Sequence, residues 1–155
     1  MTVPETDPRS RIFPPGIVVV AALVGVGLRY LWPLRLVEQP TGRWIGAALI
    51  LAWLVLAAFA LGMFRRAGTT PNPTGEVTAF VITGPYRFSR NPMYLGLVFA
   101  QAGIAFLLGN AWVLLLLPLS VLLLDRVVIP GEERYLEALY GAVYNAYRRR
   151  VRRWL

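Results

Sequence analysis

Apolar residues run along this chain in long unbroken stretches, separated by short polar or glycine- and proline-rich intervals. The first stretch covers 12–34 and carries one charge, Arg29, near its far end. A polar link at 35–43 holds Glu38, Pro40 and Gly42, and then 44–64 is free of charge over 21 residues. As a helix that run measures about 30 Å, the thickness of one bilayer core. From 91 to 124 there is again no charge. That run is far too long for one crossing, and Gly109-Asn110 near its middle is a turn signal, so it reads as a helical hairpin. The pattern predicts an all-α integral membrane protein of about four transmembrane helices, at 12–34, 44–64, 92–108 and 111–128, in a single domain. Pro118 predicts a kink inside the fourth.

The intervals differ in kind. Residues 1–11 read as a flexible tail, and Glu5 and Asp7 spoil the basic start that a signal peptide would have. Residues 65–91 are too polar and too broken by Gly68, Pro71, Pro73, Gly75, Gly84 and Pro85 to cross a membrane. A loop of this length in a compact protein marks function. Its apolar patch 77–82 reads as extended or as dipping into the interface. Ile129-Pro130-Gly131 is expected to break the chain, after which 131–155 forms a C-terminal amphipathic interfacial helix. Its apolar stripe is Tyr135, Leu136, Leu139, Tyr140, Val143, Tyr144 and Tyr147, and its end is a basic run at 148–153.

Charge orients these elements. Four crossings put residues 1–11, the 65–91 loop and the C-terminal segment on one side, which then holds Arg9, Arg11, Arg65, Arg66, Arg87, Arg90 and the arginine tail. The other side holds Arg35 and Arg43, with Arg29 able to snorkel towards it. The positive-inside rule makes the crowded side, with both termini, cytoplasmic.

Composition narrows the chemistry. With no cysteine and no histidine, thiolate nucleophiles, histidine bases and Cys/His metal sites are excluded, and no metal is expected. The net charge of +8 comes from sixteen basic residues, all arginine. They sit beside apolar spans, which points to lipid headgroups and not to nucleic acid. Exclusive arginine usage accompanies GC-rich bacterial genomes, so a bacterial plasma membrane is the expected location.

The long loop ends Gly84-Pro85-Tyr86-Arg87-Phe88-Ser89-Arg90-Asn91-Pro92-Met93-Tyr94-Leu95-Gly96. This resembles the signature of the isoprenylcysteine carboxyl methyltransferase and phospholipid methyltransferase superfamily, G-P-Y-x-x-x-R-[HN]-P-x-Y-x-G. After a hairpin that superfamily carries paired glutamates, matched by Glu132-Glu133, and then an aromatic segment with a basic end. Upstream, Ala67-Gly68-Thr69-Thr70 and Asn72-Pro73 are also similar, so the resemblance covers about 65–153. Asn91 stands where many members have histidine, so a base there does not carry over.

The resemblance implies S-adenosylmethionine as cofactor and a lipid-like acceptor that partitions into the membrane. It implies cofactor contacts from Gly84, Pro85, Tyr86, Arg90, Asn91, Pro92, Tyr94, Gly96, Glu132 and Glu133, with Arg90 and Glu133 central to catalysis. The residue chemistry agrees. Arginine forks onto a carboxylate, a carboxylate accepts from an ammonium, and tyrosines face a sulfonium. Gly84 and Gly96 permit close approach to backbone. A carboxylate acceptor, such as that of an isoprenylcysteine, is already ionised and needs no base, whereas a phospholipid amine must first lose a proton. Arg126 or Arg134 would then face the acceptor.

Simpler roles stand beside these. Arg87 and Arg90 also suit headgroup anchoring, the glutamates suit a helix first turn, Asp125-Arg126 suits a structural pair, the tyrosine stripe suits packing, and the arginine tail suits a membrane-surface patch. Gly25-Val26-Gly27 lies inside an apolar span with no strand before it and is not a nucleotide loop. Two other classes remain: a membrane reductase with a nicotinamide cofactor, and a scaffold or small transporter whose loop binds nothing.

Overall fold

The structure is a computed structural model that describes residues 13–66, 68 and 80–155. The tail at 1–11, the first half of the apolar patch at 77–82 and the upstream motif pieces at 67, 69–70 and 72–73 lie outside the described residues. Six helices follow in order: α1 Pro14–Leu31, α2 Thr41–Arg66, α3 Pro92–Leu108, α4 Ala111–Leu115, α5 Leu117–Leu123 and α6 Ile129–Arg150, with a 3-10 turn at Gly84–Arg87 before α3. No strand occurs among the described residues. The chain is an all-α membrane protein. α1, α2 and the continuous α4–α6 segment are long and apolar enough to cross a bilayer. α3, at 17 residues, is the shorter fourth apolar helix, about 26 Å long.

Local chemistry explains where the helices stop. α1 ends sooner than its apolar pattern, because Trp32 precedes Pro33 and is pushed to extended backbone (φ −145°, ψ 98°). α2 outruns its apolar core and takes Arg65 and Arg66 into its last turn, where cations oppose the negative end of the helix dipole. At the predicted hairpin, Gly109 is left-handed (φ 58°) and closes α3, while Asn110 caps α4 by accepting from Trp112 N–H at 3.0 Å. The fully buried Asn110 side chain also donates to the Gly25 carbonyl at 3.0 Å, tying the hairpin to α1.

Two ends are thereby defined. At one, the α1–α2 link lies against the hairpin, with Leu36 N–H donating to Gly109 O and Ala111 N–H to Leu34 O, both 3.3 Å. Arg29 does not reach outward there. Its guanidinium donates to Leu108 O at 2.7 Å, satisfying a carbonyl at the end of α3. Exposed Tyr30, Trp32 and Trp44 flank this end as an aromatic girdle. At the other end, Ile17 of α1 packs on a core of Tyr94, Leu124, Val128 and Ile129.

The bundle is apolar outside and small inside. Leu23, Leu51, Leu54 and Phe59 point outward, more than half of Leu23's surface being free. The contacts between helices fall on Gly25, Gly42, Gly46, Gly103, Ala60, Ala100 and Ala105. Lipid tails offer helices no hydrophobic reason to associate, so close backbone approach must supply it. α2 and α3 meet this way: a Cβ on Gly46 would lie 2.8 Å from the Gly103 carbonyl oxygen. The kink predicted at Pro118 is the break between α4 and α5 at Leu116 (φ −80°, ψ −9°), and the nearby Val113 carbonyl takes a 3.1 Å hydrogen bond from buried Gln101 of α3.

The expected break at Ile129-Pro130-Gly131 does not occur. Helical structure runs from α5 through a π turn at Leu124–Val128 into α6, with Ile129 N–H donating to Leu124 O five residues back. Pro130 lies within this continuous helix at the start of α6, and its missing N–H falls just after the π turn, where the ladder is already shifted. The actual interruption lies further on, at Gly141 (φ 48°, ψ −117°), and α6 ends at Arg150, so 131–155 is a kinked helix followed by a non-helical tail.

Gly46→Val is expected to cost about 1–3 kcal/mol through overpacking against α3 backbone. Gly27→Val, where no heavy atom lies within 4 Å of the new Cβ, is the matched control. Thermal unfolding in detergent should separate the two. Equal melting temperatures would mean that α2 and α3 are not held by this contact.

Candidate active site

The 3-10 turn, the start of α3, the first turn of α6 and the tail after α6 converge at one end of the bundle. Gly84 takes positive φ (58°) to open the turn, and the space its side chain would occupy is filled by Met63 of α2. Pro85 fixes the first turn position. Tyr86 sets its ring edge-on to Phe64, centroids 5.8 Å apart, and its carbonyl accepts from Tyr147 O–H at 2.7 Å. Burial pushes the Tyr86 phenol above its ordinary range.

The paired glutamates meet the loop motif. Neighbouring residues on a helix point about 100° apart, so Glu132 and Glu133 face different partners. Glu132 accepts from Tyr94 O–H of α3. Glu133 faces Arg90, with Oε1 3.2 Å from Nη1, and the side chains of Arg90 and Glu133 are 11% and 9% exposed. That ion pair lacks hydrogen-bond alignment: Arg90 Nε and Nη1 are both buried and have no hydrogen-bond partner. The π turn makes this arrangement possible, because one extra residue in a turn rotates everything after it by about 100°.

The rest of the carboxylate belongs to the tail. Arg153 forks onto Glu133, Nη2 to Oε2 at 2.6 Å and Nε to Oε1 at 3.2 Å. Those hydrogen bonds raise the Arg153 pKa further and hold it charged. Its Nη1 also donates to Asp125 Oδ1 at 3.1 Å, and Trp154 Nε1 donates to the same oxygen at 3.0 Å. The tail backbone in turn receives the motif. Arg90 N–H donates to Arg152 O at 2.9 Å, and Ser89 Oγ and Asn91 Nδ2 both donate to Arg153 O, at 3.2 and 3.0 Å.

Several expectations change here. Asn91 is turned to the tail carbonyl. Pro92 is buried in the first turn of α3. Gly96 serves helix packing and not ligand approach, since its Cβ would lie 3.1 Å from Trp53 Cδ1 of α2. Arg126 pairs with Asp125 at 3.3 Å, but its side chain is 74% exposed. Arg134 is exposed and donates to Pro130 O of its own helix at 3.2 Å. Neither reaches the buried cluster. The arginine tail is not a uniform surface patch: Arg148, Arg149, Arg150 and Arg152 are exposed, while Arg153 and Trp154 turn inward. Part of the tyrosine stripe gathers on Phe80, whose ring stacks on Tyr140 at 4.9 Å and meets Tyr147 edge-on at 5.4 Å.

The family described as phospholipid methyltransferase matches residues 41–143, a range that holds the whole loop motif and both glutamates. The chain belongs to that family. As a phospholipid methyltransferase family member it is a membrane methyltransferase. Over 63 residues it is also 36% identical to an uncharacterized protein of Haemophilus influenzae, an alignment covering 41% of this chain and 100% of that protein. No solved structure matches. The residues missed in the sequence, Ser89, Arg153 and Trp154, belong to the same polar cluster as Arg90 and Glu133. The signal for Arg153 was charge balance: Asp125, Glu132 and Glu133 at a membrane edge carry one more charge than Arg90 and Arg126 balance.

Glu133→Ala leaves two guanidiniums facing each other with no carboxylate between them, and is expected to destabilise the protein by about 3 kcal/mol or more. Arg126→Ala, at an exposed pair, should change stability by about 0.5 kcal/mol at most. Denaturation of the two variants in the same detergent tests the difference. If both lose the same amount, Glu133 does not hold this end together.

Proposed function

We propose that this protein transfers a methyl group from S-adenosylmethionine to a membrane-partitioned, lipid-like acceptor at the cytoplasmic face of a bacterial plasma membrane. The observation that carries the reading is that Nε and Nη1 of Arg90 are buried and make no hydrogen bond, although Glu133 balances the charge. Buried guanidinium donors are costly unless an acceptor meets them, and a carboxylate meets them best. Arg90 would hold the cofactor's carboxylate, with Glu133 fixing the guanidinium from behind. Glu132, linked to Tyr94, is the carboxylate nearest to serve the ammonium. When bound, the cofactor supplies an electrophilic methyl carbon on a sulfonium.

The protein's part is positioning. Transfer is a direct displacement at carbon, and alignment of two reactants supplies most of what such a step needs. The rings of Phe80, Tyr86, Tyr140, Tyr144 and Tyr147 line the same end of the bundle, where they keep water from the reacting centre. For the acceptor, an ionised carboxylate of the isoprenylcysteine kind fits a chain without histidine, because no proton needs to leave first. Arg126 and Arg134, exposed beside the site, would meet such a carboxylate as it arrives. A phospholipid amine is the second reading. The Tyr94–Glu132 hydrogen bond favours it, since a carboxylate is at hand to take the proton.

Titration of purified protein with S-adenosylmethionine and with nicotinamide dinucleotides is the first test. Saturable binding of the former alone is expected, and binding of only the latter would point to a reductase. Arg90→Ala should abolish cofactor binding while the protein stays in the membrane fraction; undiminished affinity would remove Arg90 from the site. Methyl-transfer assays on prenylated thiols and on phosphatidylethanolamine distinguish the two acceptors.

A further inference from the structure

Arg153 lies outside the residues matched to the family, yet no other side chain among the described residues joins so many parts of the site. Its fork holds both oxygens of Glu133, and one of these, Oε1, is the oxygen that faces Arg90. A carboxylate held by one fork cannot offer a second fork to another guanidinium. With that fork in place, Arg90 is paired in charge while its Nε and Nη1 remain without hydrogen bonds. Without Arg153, Glu133 would be free to turn both oxygens onto Arg90 and occupy the donors that a cofactor carboxylate needs.

We propose that Arg153 is a positioning residue of the methyl-transfer site, whose guanidinium restrains Glu133 so that Arg90 keeps its buried donors open for an anionic ligand. Arg153 thereby belongs to the cofactor site, while the exposed Arg148, Arg149, Arg150 and Arg152 face lipid headgroups. The inference rests on the reading of Arg90 as the cofactor's carboxylate partner. Two further contacts support it. Asp125, in the π turn, accepts from both the Arg153 guanidinium and the Trp154 indole. The Arg153 carbonyl accepts from Ser89 and Asn91, so the same residue sets the backbone on both sides of Arg90.

The test uses the full-length protein in lipid nanodiscs and calorimetric titration with S-adenosylmethionine, reading affinity and stoichiometry separately. Arg153→Ala removes the guanidinium but keeps the carbonyl that holds the loop. It is expected to raise the Kd about tenfold or more, the scale of one lost charged contact, with stoichiometry unchanged. Arg153→Lys keeps the charge without the fork and should fall between. Millimolar methylguanidinium should restore part of the alanine variant's affinity. Arg149→Ala, an exposed arginine of the same tail, is the control.

A merely structural role predicts the opposite split: lower stoichiometry, unchanged Kd in the folded fraction and no rescue by methylguanidinium. That result overturns the proposal, as does an alanine variant with wild-type Kd and stoichiometry. If the wild type binds no S-adenosylmethionine, the methyltransferase cofactor reading fails, and this inference falls with it.

Discussion

A single carboxylate, Glu133, organises the motif-bearing end of this protein. It is nearly buried and lies between two guanidiniums from opposite directions in the sequence, Arg90 from the loop before α3 and Arg153 from the tail after α6. Charges so poor in water are stable only when each has a partner, and removing one strands the rest. The cluster also holds an asymmetry. Arg153 has its fork filled, while Arg90 has charge balance without hydrogen bonds on Nε and Nη1. The structure thus leaves one guanidinium fully engaged by carboxylates and the other with buried donors unmet.

The membrane bundle exists to bring these segments to one place. Small residues let α2, α3 and α4 approach closely where lipid gives no other drive to associate. Asn110 and Arg29 use the polar groups at the far end to fix the hairpin against α1 and the α1–α2 link. With that end closed, the starts of α3 and α6 must emerge together at the other. The π turn at Leu124–Val128 then sets rotation: the last turn before α6 is wound so that Glu132 meets Tyr94 and Glu133 meets Arg90. A regular α-helix through the same residues would aim the two glutamates about 100° away.

The spans were legible in the sequence because uncharged length is a direct consequence of a bilayer's thickness, and the hairpin was legible because Gly109-Asn110 has few other conformational uses. So was the meeting of the loop motif with Glu132-Glu133. What could not be read there was helix phase. Ile129-Pro130-Gly131 looks like a stop, yet the helix passes through it by way of the π turn at Leu124–Val128. Arg153 was hidden for a related reason. In a run of five arginines within 148–153, composition says headgroup patch for all of them. Only the end of α6 at Arg150 and the extended backbone of Val151 (φ −121°, ψ 130°) turn the last arginine back towards Glu133. Gly96 shows the converse: its place in the motif suggests ligand approach, while its neighbour Trp53 lies on a helix far off in sequence.

Asn91, where many relatives carry histidine, then has a physical explanation. Its side-chain Nδ2 donates to the Arg153 carbonyl, and its backbone N–H donates to Ser89 Oγ at 3.1 Å. Neither contact asks for a base. A neutral histidine reaches a carbonyl through its Nδ1–H much as asparagine does through Nδ2–H, so the two residues are alternatives for a donor and not for a proton acceptor. The position therefore joins loop to tail, and the substitution leaves that junction intact. What it takes from the site is a group able to remove a proton, and this weighs against acceptors that need one removed unless Glu132 does that work.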